Sequence, residues 1–205
     1  MTGEQALQAI AAVELREKAI LSLAIFVGMR PGEILGLQRR HVSAACDVIG
    51  IEQRVYRGAI DTPKTDGSAR QVAVGSSSAE VLKCWMDSAV GPEPDAFVFA
   101  GESGRPVWRD TLLYDHIRPR LKPLGLEWVD FQVMRTTNAS LGHEAKVDPK
   151  TSADQRGHTI DVSMNVYTRT SIEKKAAAAK QLENSVLRKK KVVGILEKRK
   201  RSVAS

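Results

Sequence analysis

The chain has 205 residues, of which 42% are apolar, and this is enough to bury one substantial hydrophobic core. Its two cysteines, Cys46 and Cys84, form no spaced metal-binding or disulfide framework, which fits a reducing intracellular compartment. The longest apolar stretch, from Ile20 to Val27, is too short to span a bilayer, and no secretory signal precedes it. We therefore expect a soluble protein of the cytoplasm.

The formal net charge of +7 is distributed unevenly along the chain. Residues 171–205 carry 11 Lys and Arg side chains against 3 Asp and Glu, whereas residues 1–170 carry 20 against 21. Affinity of the body for nucleic acid would therefore require a local basic face rather than a global charge. We interpret 171–205 as a basic, partly helical C-terminal tail.

The first elements along the chain are predicted to be helical. Between Glu4 and Val27, apolar residues recur at intervals of three and four positions, which predicts two helices. Gly28 is expected to end the second of them. Pro31 is typical of the first position of a new helix, with Glu33 in the first turn, where a negative charge suits the helix dipole.

Short runs rich in β-branched residues follow, and they predict strands. They lie at 48–51, 54–56 and 71–74, with an Asp66-Gly67 turn signal before the last. Helical patterns resume at 78–88, 109–118 and 131–143, and on both sides of Gly157. The fold class predicted is α+β, mainly helical, with a small three-stranded antiparallel sheet.

Five residues in chain order indicate a specific chemistry: Arg30, Lys64, Arg135, His158 and Tyr167. Arginine offers a planar, permanently charged fork of donors that matches phosphate oxygens. A tyrosine hydroxyl has a pKa near 10 and needs neighbouring positive charge and a proton acceptor to act as a nucleophile. This combination suits attack of a tyrosine on a phosphodiester.

The sequence context of these residues resembles the catalytic domain of tyrosine recombinases, the phage integrase family. Arg30 lies in Gly-Met-Arg-Pro-Gly-Glu-Ile-Leu-Gly-Leu, and Arg135 lies in Phe-Gln-Val-Met-Arg-Thr-Thr-Asn-Ala-Ser. His158 follows a glycine 23 positions after Arg135, and Tyr167 follows 9 positions later. The resemblance covers roughly residues 1–170 and implies the recombinase catalytic fold.

The resemblance also implies roles for the individual residues. Tyr167 would attack the phosphate and form a 3′-phosphotyrosyl link. Arg30 and Arg135 would clamp the non-bridging oxygens, and His158 would donate a hydrogen bond to the same phosphate. Lys64, at the family's mobile hairpin position, would protonate the departing 5′ oxygen.

Three further positions qualify this picture. Glu33, three positions after Arg30, is expected to position a cation rather than to act as a base. Gln132 departs from the family's usual His-x-x-Arg box, and since glutamine cannot carry a proton, slower chemistry is expected. His143 also follows a glycine, but it lies only 8 residues after Arg135 and is interpreted as a surface residue.

The resemblance implies partners and domain organisation as well. Double-stranded DNA is the expected partner, and the protein is expected to self-associate into a tetramer on DNA. The expected location is the bacterial nucleoid. No metal or nucleotide cofactor is required. We expect a catalytic domain at 1–170, the tail at 171–205, and no counterpart of the family's N-terminal core-binding domain.

The function predicted is that of a site-specific recombinase or integrase. Its activity is expected to be lower because Gln132 replaces the usual histidine. Two alternatives stay open at this point. A type IB topoisomerase-like enzyme would use the same chemistry but rejoin the same strand. A DNA-binding relative that has lost cleavage would also fit the Gln132 substitution.

Overall fold

The computed structural model describes residues 1–56, 58–61 and 70–157. Lys64, His158, Tyr167 and the tail at 171–205 lie outside these residues. The described part contains helices together with short antiparallel strands, which confirms the predicted α+β class. None of its helices is both long and apolar enough to cross a membrane.

The N-terminal helices form where the apolar spacing predicts them. Helix α1 (Gly3–Ala11) begins with a capping box between Thr2 and Gln5. Helix α2 (Leu15–Ser22) continues as a π-helical turn, Leu23–Val27, and ends at Gly28, whose φ of 78° lies in the left-handed region. Since this conformation is readily accessible only to glycine, Gly28 is the stop signal.

Helix α3 (Pro31–Leu35) begins three residues after this stop, with proline at its first position. Its packing is close, because a Cβ added at Gly32 would lie 2.7 Å from the carbonyl oxygen of Val55. The short helix is thereby held against the strand that contains Val55.

The strands form two antiparallel pairs in the described part of the chain, rather than the single three-stranded sheet predicted. Strand β1 (Val48–Ile51) pairs with β4 (Arg70–Ala73), and β2 (Arg54–Tyr56) pairs with β3 (Ala59–Asp61). The difference arises at Gly58, whose φ of 77° allows β2 to turn back on the next three residues. Those residues form too short a run to register as a strand in the sequence pattern.

The longer helices that remain cover the segments predicted up to Gly157, and the helix predicted after Gly157 lies outside the described residues. The remaining helices are α4 (Ser76–Ala89), α5 (Arg109–Thr111), which continues through a π-helical stretch, Leu112–Ile117, into α6 (Arg118–Leu121), then α7 (Phe131–Glu144) and α8 (Pro149–Arg156). Side chains of Asp130 and Asp148 cap α7 and α8 by accepting from the backbone N–H groups of Val133 and Thr151.

One hydrophobic core joins these elements. Helix α2 packs on α4, and α7 packs on the π-helical turn after α2. The fully buried side chains come from many elements and include Ile20, Leu21, Leu23, Ile34, Ile49, Leu82, Phe99 and Met134. Two of them lie close in sequence to the arginines predicted to bind phosphate. Ile34 fixes α3 and Met134 fixes α7, so the core sets the position of Arg30 and Arg135.

The core predicts a contrast between two leucines. Leu21→Ala leaves a cavity at a fully buried position and should lower the free energy of unfolding by about 2–5 kcal/mol. Leu7→Ala, at a helical residue that is 62% exposed, should change it by no more than about 0.5 kcal/mol. Urea unfolding of both variants measures the difference, and equal shifts of the two midpoints would contradict the assigned core.

Candidate active site

Arg30 lies at the junction between the left-handed stop at Gly28 and the start of α3. Its backbone N–H donates to Glu33 Oε2 at 2.8 Å, and its Nη1 donates to Glu33 Oε1 at 2.9 Å. Its Nη2 donates to the carbonyl oxygen of Gly157 at 2.9 Å. The side chain remains 43% exposed, so the guanidinium is fixed in orientation while still reaching solvent.

Arg135 lies in the second turn of α7 and is buried. Its guanidinium donates to the carbonyl oxygens of Gly28 and Arg156. Burial, together with the positive charge of Arg30, lowers the pKa of Arg135 to about 10, so the group remains charged at neutral pH. A buried charge is tolerated only when its hydrogen-bond donors have acceptors, and these two carbonyl oxygens accept from the Arg135 guanidinium.

Glu33 is shared between two arginines. Besides Arg30, it receives Nη1 of Arg70 at 3.0 Å on Oε1 and Nη2 of Arg70 at 3.1 Å on Oε2. Burial raises the pKa of the Glu33 carboxyl, but the hydrogen bonds and charges of Arg70 and Arg30 outweigh it and lower the pKa below its ordinary value. Glu33 is therefore an ionised acceptor between two cations.

The end of α8 is where these side chains meet. Three successive carbonyl groups, of Gln155, Arg156 and Gly157, accept from Arg70 Nε, Arg135 Nη2 and Arg30 Nη2, respectively. The last carbonyls of a helix lack intrahelical partners and carry the negative end of its dipole, which favours cations there. The arginines thus converge on the last three carbonyl groups before His158.

Two glycines make this close packing possible. A Cβ on Gly28 would lie 2.7 Å from Asn138 Oδ1 and 2.8 Å from Arg156 Cγ. A Cβ on Gly157 would lie 2.5 Å from Arg70 Cζ. Both glycines also have positive φ, of 78° and 63°, so their backbone conformation and their neighbours each disfavour a side chain.

The structure brings together three of the residues singled out from the sequence: Arg30, Glu33 and Arg135. Gln132 is exposed and lies in the first turn of α7, one turn before Arg135. His143 is exposed at the far end of the same helix, in line with its interpretation as a surface residue. The roles of Lys64, His158 and Tyr167 stay predictions, since these residues lie outside the described part.

Sequence reasoning missed the place of Arg70 in this cluster. Its link to Glu33 crosses 37 positions, and no local pattern marks it. The available signal was an arginine three positions after the Asp66-Gly67 turn, immediately before the predicted strand at 71–74. Among the described residues, no group of three or more His, Cys, Asp or Glu could hold a metal ion.

The chain is similar in sequence to a known protein family and to several of its members. The sequence model of the phage integrase family matches residues 1–174. A tyrosine recombinase XerC-like protein of Caldanaerobacter subterraneus subsp. tengcongensis is 25% identical over 194 residues, covering 82% of this chain and 49% of that protein. The integrase of Staphylococcus phage L54a is 28% identical over 178 residues, covering 78% and 49%. This chain therefore spans about half the length of these curated relatives.

Among solved structures, the Tn1549 transposon integrase in complex with a circular intermediate DNA is similar in fold. Its TM-score is 0.75, with 17% sequence identity, over 89% of this chain and 65% of that one.

The packing at Gly28 predicts a severe effect of adding one methyl group. Gly104→Ala serves as the control, because Gly104 also has a positive φ, of 73°, but has no atom within 4 Å of an added Cβ. Gly104→Ala should cost about 1 kcal/mol of stability through backbone strain alone. Gly28→Ala should cost about 1–3 kcal/mol more, because the added Cβ also displaces Asn138 or Arg156. Thermal and urea unfolding of both variants test this, and equal losses would contradict the close approach.

Proposed function

Because the chain belongs to the phage integrase family, we propose that it cleaves and rejoins DNA strands as a site-specific tyrosine recombinase. One observation supports this most directly: Arg30 and Arg135 converge on the end of α8, immediately before His158. Two guanidinium groups at one point, from elements more than a hundred positions apart, provide the donors that a phosphodiester transition state requires.

In the proposed reaction, the Tyr167 hydroxyl gives its proton to solvent water as its oxygen attacks the scissile phosphorus. A bond forms between this oxygen and phosphorus, and the bond from phosphorus to the 5′ oxygen breaks. The products are a 3′-phosphotyrosyl link and a free 5′ hydroxyl, to which Lys64 supplies the proton. Attack by a 5′ hydroxyl of another strand reverses these steps, so the ester conserves the energy of the phosphodiester bond.

Arg30 and Arg135 differ in what their surroundings allow. Arg135 is buried and held by two backbone carbonyls, so its charge is fixed in place. Arg30 is partly exposed and can follow a phosphate that arrives from solvent. Each donor to the non-bridging oxygens would contribute about 10²–10³ in rate, because negative charge develops there in the transition state. His158 would add a further hydrogen bond to the same group.

Gln132 sets the expected limit on activity. It lies one helical turn before Arg135 and is exposed. Its amide can donate to a phosphate oxygen but cannot exchange a proton at any ordinary pH. We propose that proton transfer from Tyr167 is consequently slower in this protein than in relatives with histidine at this position.

Double-stranded DNA is the proposed partner, and self-association into a tetramer on DNA is the proposed working assembly. We propose that residues 1–170 form the catalytic domain. The basic tail at 171–205, with its net charge of +8, would add non-specific affinity through the phosphate backbone. The bacterial and phage sources of the curated relatives support the bacterial nucleoid as the site of action.

The proposal predicts a covalent adduct at Tyr167. A library of nicked duplexes with randomised arms serves as a suicide substrate, because the short 5′-hydroxyl fragment diffuses away after cleavage. The wild-type protein should retain DNA on a denaturing gel, and Tyr167→Phe should not. Peptide mapping of the adduct provides the control for position. Adduct at Tyr56 or Tyr114, or no adduct under any condition, would contradict the proposal.

The role of Lys64 predicts a selective rescue. Replacing the 5′ bridging oxygen with sulfur gives a leaving group that needs no proton, so Lys64→Ala should recover activity on this substrate. The general-acid step is expected to contribute about 10²–10⁴ in rate on the ordinary substrate. Arg30→Ala is the matched control, because loss of a phosphate clamp should impair both substrates alike. Equal impairment of Lys64→Ala on both would show that Lys64 only positions DNA.

A further inference from the structure

Arg70 is the first residue of β4, directly after the segment 62–69 that contains Lys64. Its side chain is only 12% exposed. Two of its nitrogens donate to the two carboxylate oxygens of Glu33, at 3.0 and 3.1 Å, and Nε donates to the carbonyl oxygen of Gln155 at 3.4 Å. Each guanidinium nitrogen therefore donates to a protein acceptor, which identifies Arg70 as a residue that acts through its neighbours.

The first of these neighbours is the carboxylate of Glu33, which also contacts Arg30. Considered alone, Arg30 and Glu33 form an ion pair with no net charge, and such a pair attracts a phosphate weakly. Arg70 adds a second positive charge to the same carboxylate, so the three groups together carry +1. Arg70 binds Glu33 through two parallel hydrogen bonds, the strongest geometry available to a carboxylate, whereas Arg30 uses one from its side chain.

The second neighbour is the end of α8. The guanidinium of Arg70 lies where a Cβ on residue 157 would stand, so Gly157 is needed for Arg70 to reach this position. Gln155 attaches the same strand at its other end: its Nε2 donates to the carbonyl oxygen of Ala73 at 2.6 Å, and the Ala73 N–H donates to its Oε1 at 3.2 Å. Both ends of β4 are thereby attached to the helix that precedes His158.

We propose that Arg70 is a positioning residue that neutralises Glu33, so that Arg30 faces the scissile phosphate with a net positive charge. Its bond to Gln155 holds the start of β4 beside the residue that precedes His158. This inference rests on the proposed strand-cleavage function. It assigns Arg70 no contact with DNA and no part in proton transfer.

Charge restoration separates this role from a purely structural one. Arg70→Ala leaves Arg30 and Glu33 with a local charge of zero. Adding Glu33→Gln to that variant returns the local charge to +1, although it removes further hydrogen bonds. If Arg70 acts by neutralising Glu33, the double variant should be more active than Arg70→Ala. If Arg70 merely supports the fold, the double variant should be less active or less stable.

The experiment compares wild type, Arg70→Ala, Arg70→Lys and Arg70→Ala/Glu33→Gln on a nicked suicide duplex recovered from the randomised library, at saturating protein. The single-turnover cleavage rate should fall about 10-fold or more in Arg70→Ala, since Arg30 and Glu33 then carry no net positive charge toward the phosphate. Arg70→Lys, which keeps the charge but not the two-pronged geometry, should be intermediate. The double variant should recover most of the loss. Arg120→Ala, which removes a surface ion pair with Glu14, is the matched control and should cleave as wild type does.

A second measurement does not depend on cleavage. In a Tyr167→Phe background, the slope of log affinity against log salt for a duplex of fixed sequence should fall by about 0.9 in Arg70→Ala and recover in the double variant. Should Arg70→Ala fail to fold, Arg70→Gln, which keeps a hydrogen-bond donor but no charge, takes its place in both measurements, with Arg70→Lys as the variant that keeps the charge.

The outcomes distinguish the two proposals. Absence of cleavage by wild type would overturn the proposed function, and the salt slopes would then decide the role of Arg70. Cleavage by wild type with equal rates in all variants would overturn the role of Arg70 alone. A double variant below Arg70→Ala in both measurements would overturn it as well.

Discussion

The rest of the site depends on the hydrogen bonds that the C-terminal end of α8 accepts. Its last carbonyls have no partners within the helix, and three of them accept from Arg70, Arg135 and Arg30 in succession. These arginines come from a strand, from a long helix and from a helix junction that are remote in sequence. Each of them donates to the same helix end, so their arrangement depends on the packing of α8.

The cations in this cluster repel one another, and two different devices offset that repulsion. Backbone carbonyls at Gly28 and at the end of α8 accept hydrogen bonds from the guanidinium of Arg135. A single carboxylate, Glu33, serves Arg30 and Arg70 together. A local excess of positive charge therefore persists around a buried acid, which is the condition that an anion-binding site requires.

The sequence predicted those features that local physical chemistry determines. Helical spacing, the stop at Gly28 and the start at Pro31 all depend on residues within one or two turns, and the structure confirms them. The link from Arg70 to Glu33 depends on how β4 is registered against β1 and on how α8 packs, and neither is encoded locally. The β2–β3 pair escaped prediction for a related reason, since three residues are too few to show a periodic pattern. The assignments of Lys64, His158 and Tyr167 depend on spacing alone and stay predictions.

The contact between Gly157 and Arg70 links two positions that are far apart in the chain. A side chain at the first position and an arginine at the second would occupy the same space. Substitution at either one therefore changes which residues the other can accept. In an alignment of relatives, these two columns should vary together even where the surrounding strand and helix have diverged, because the steric exclusion acts on the pair.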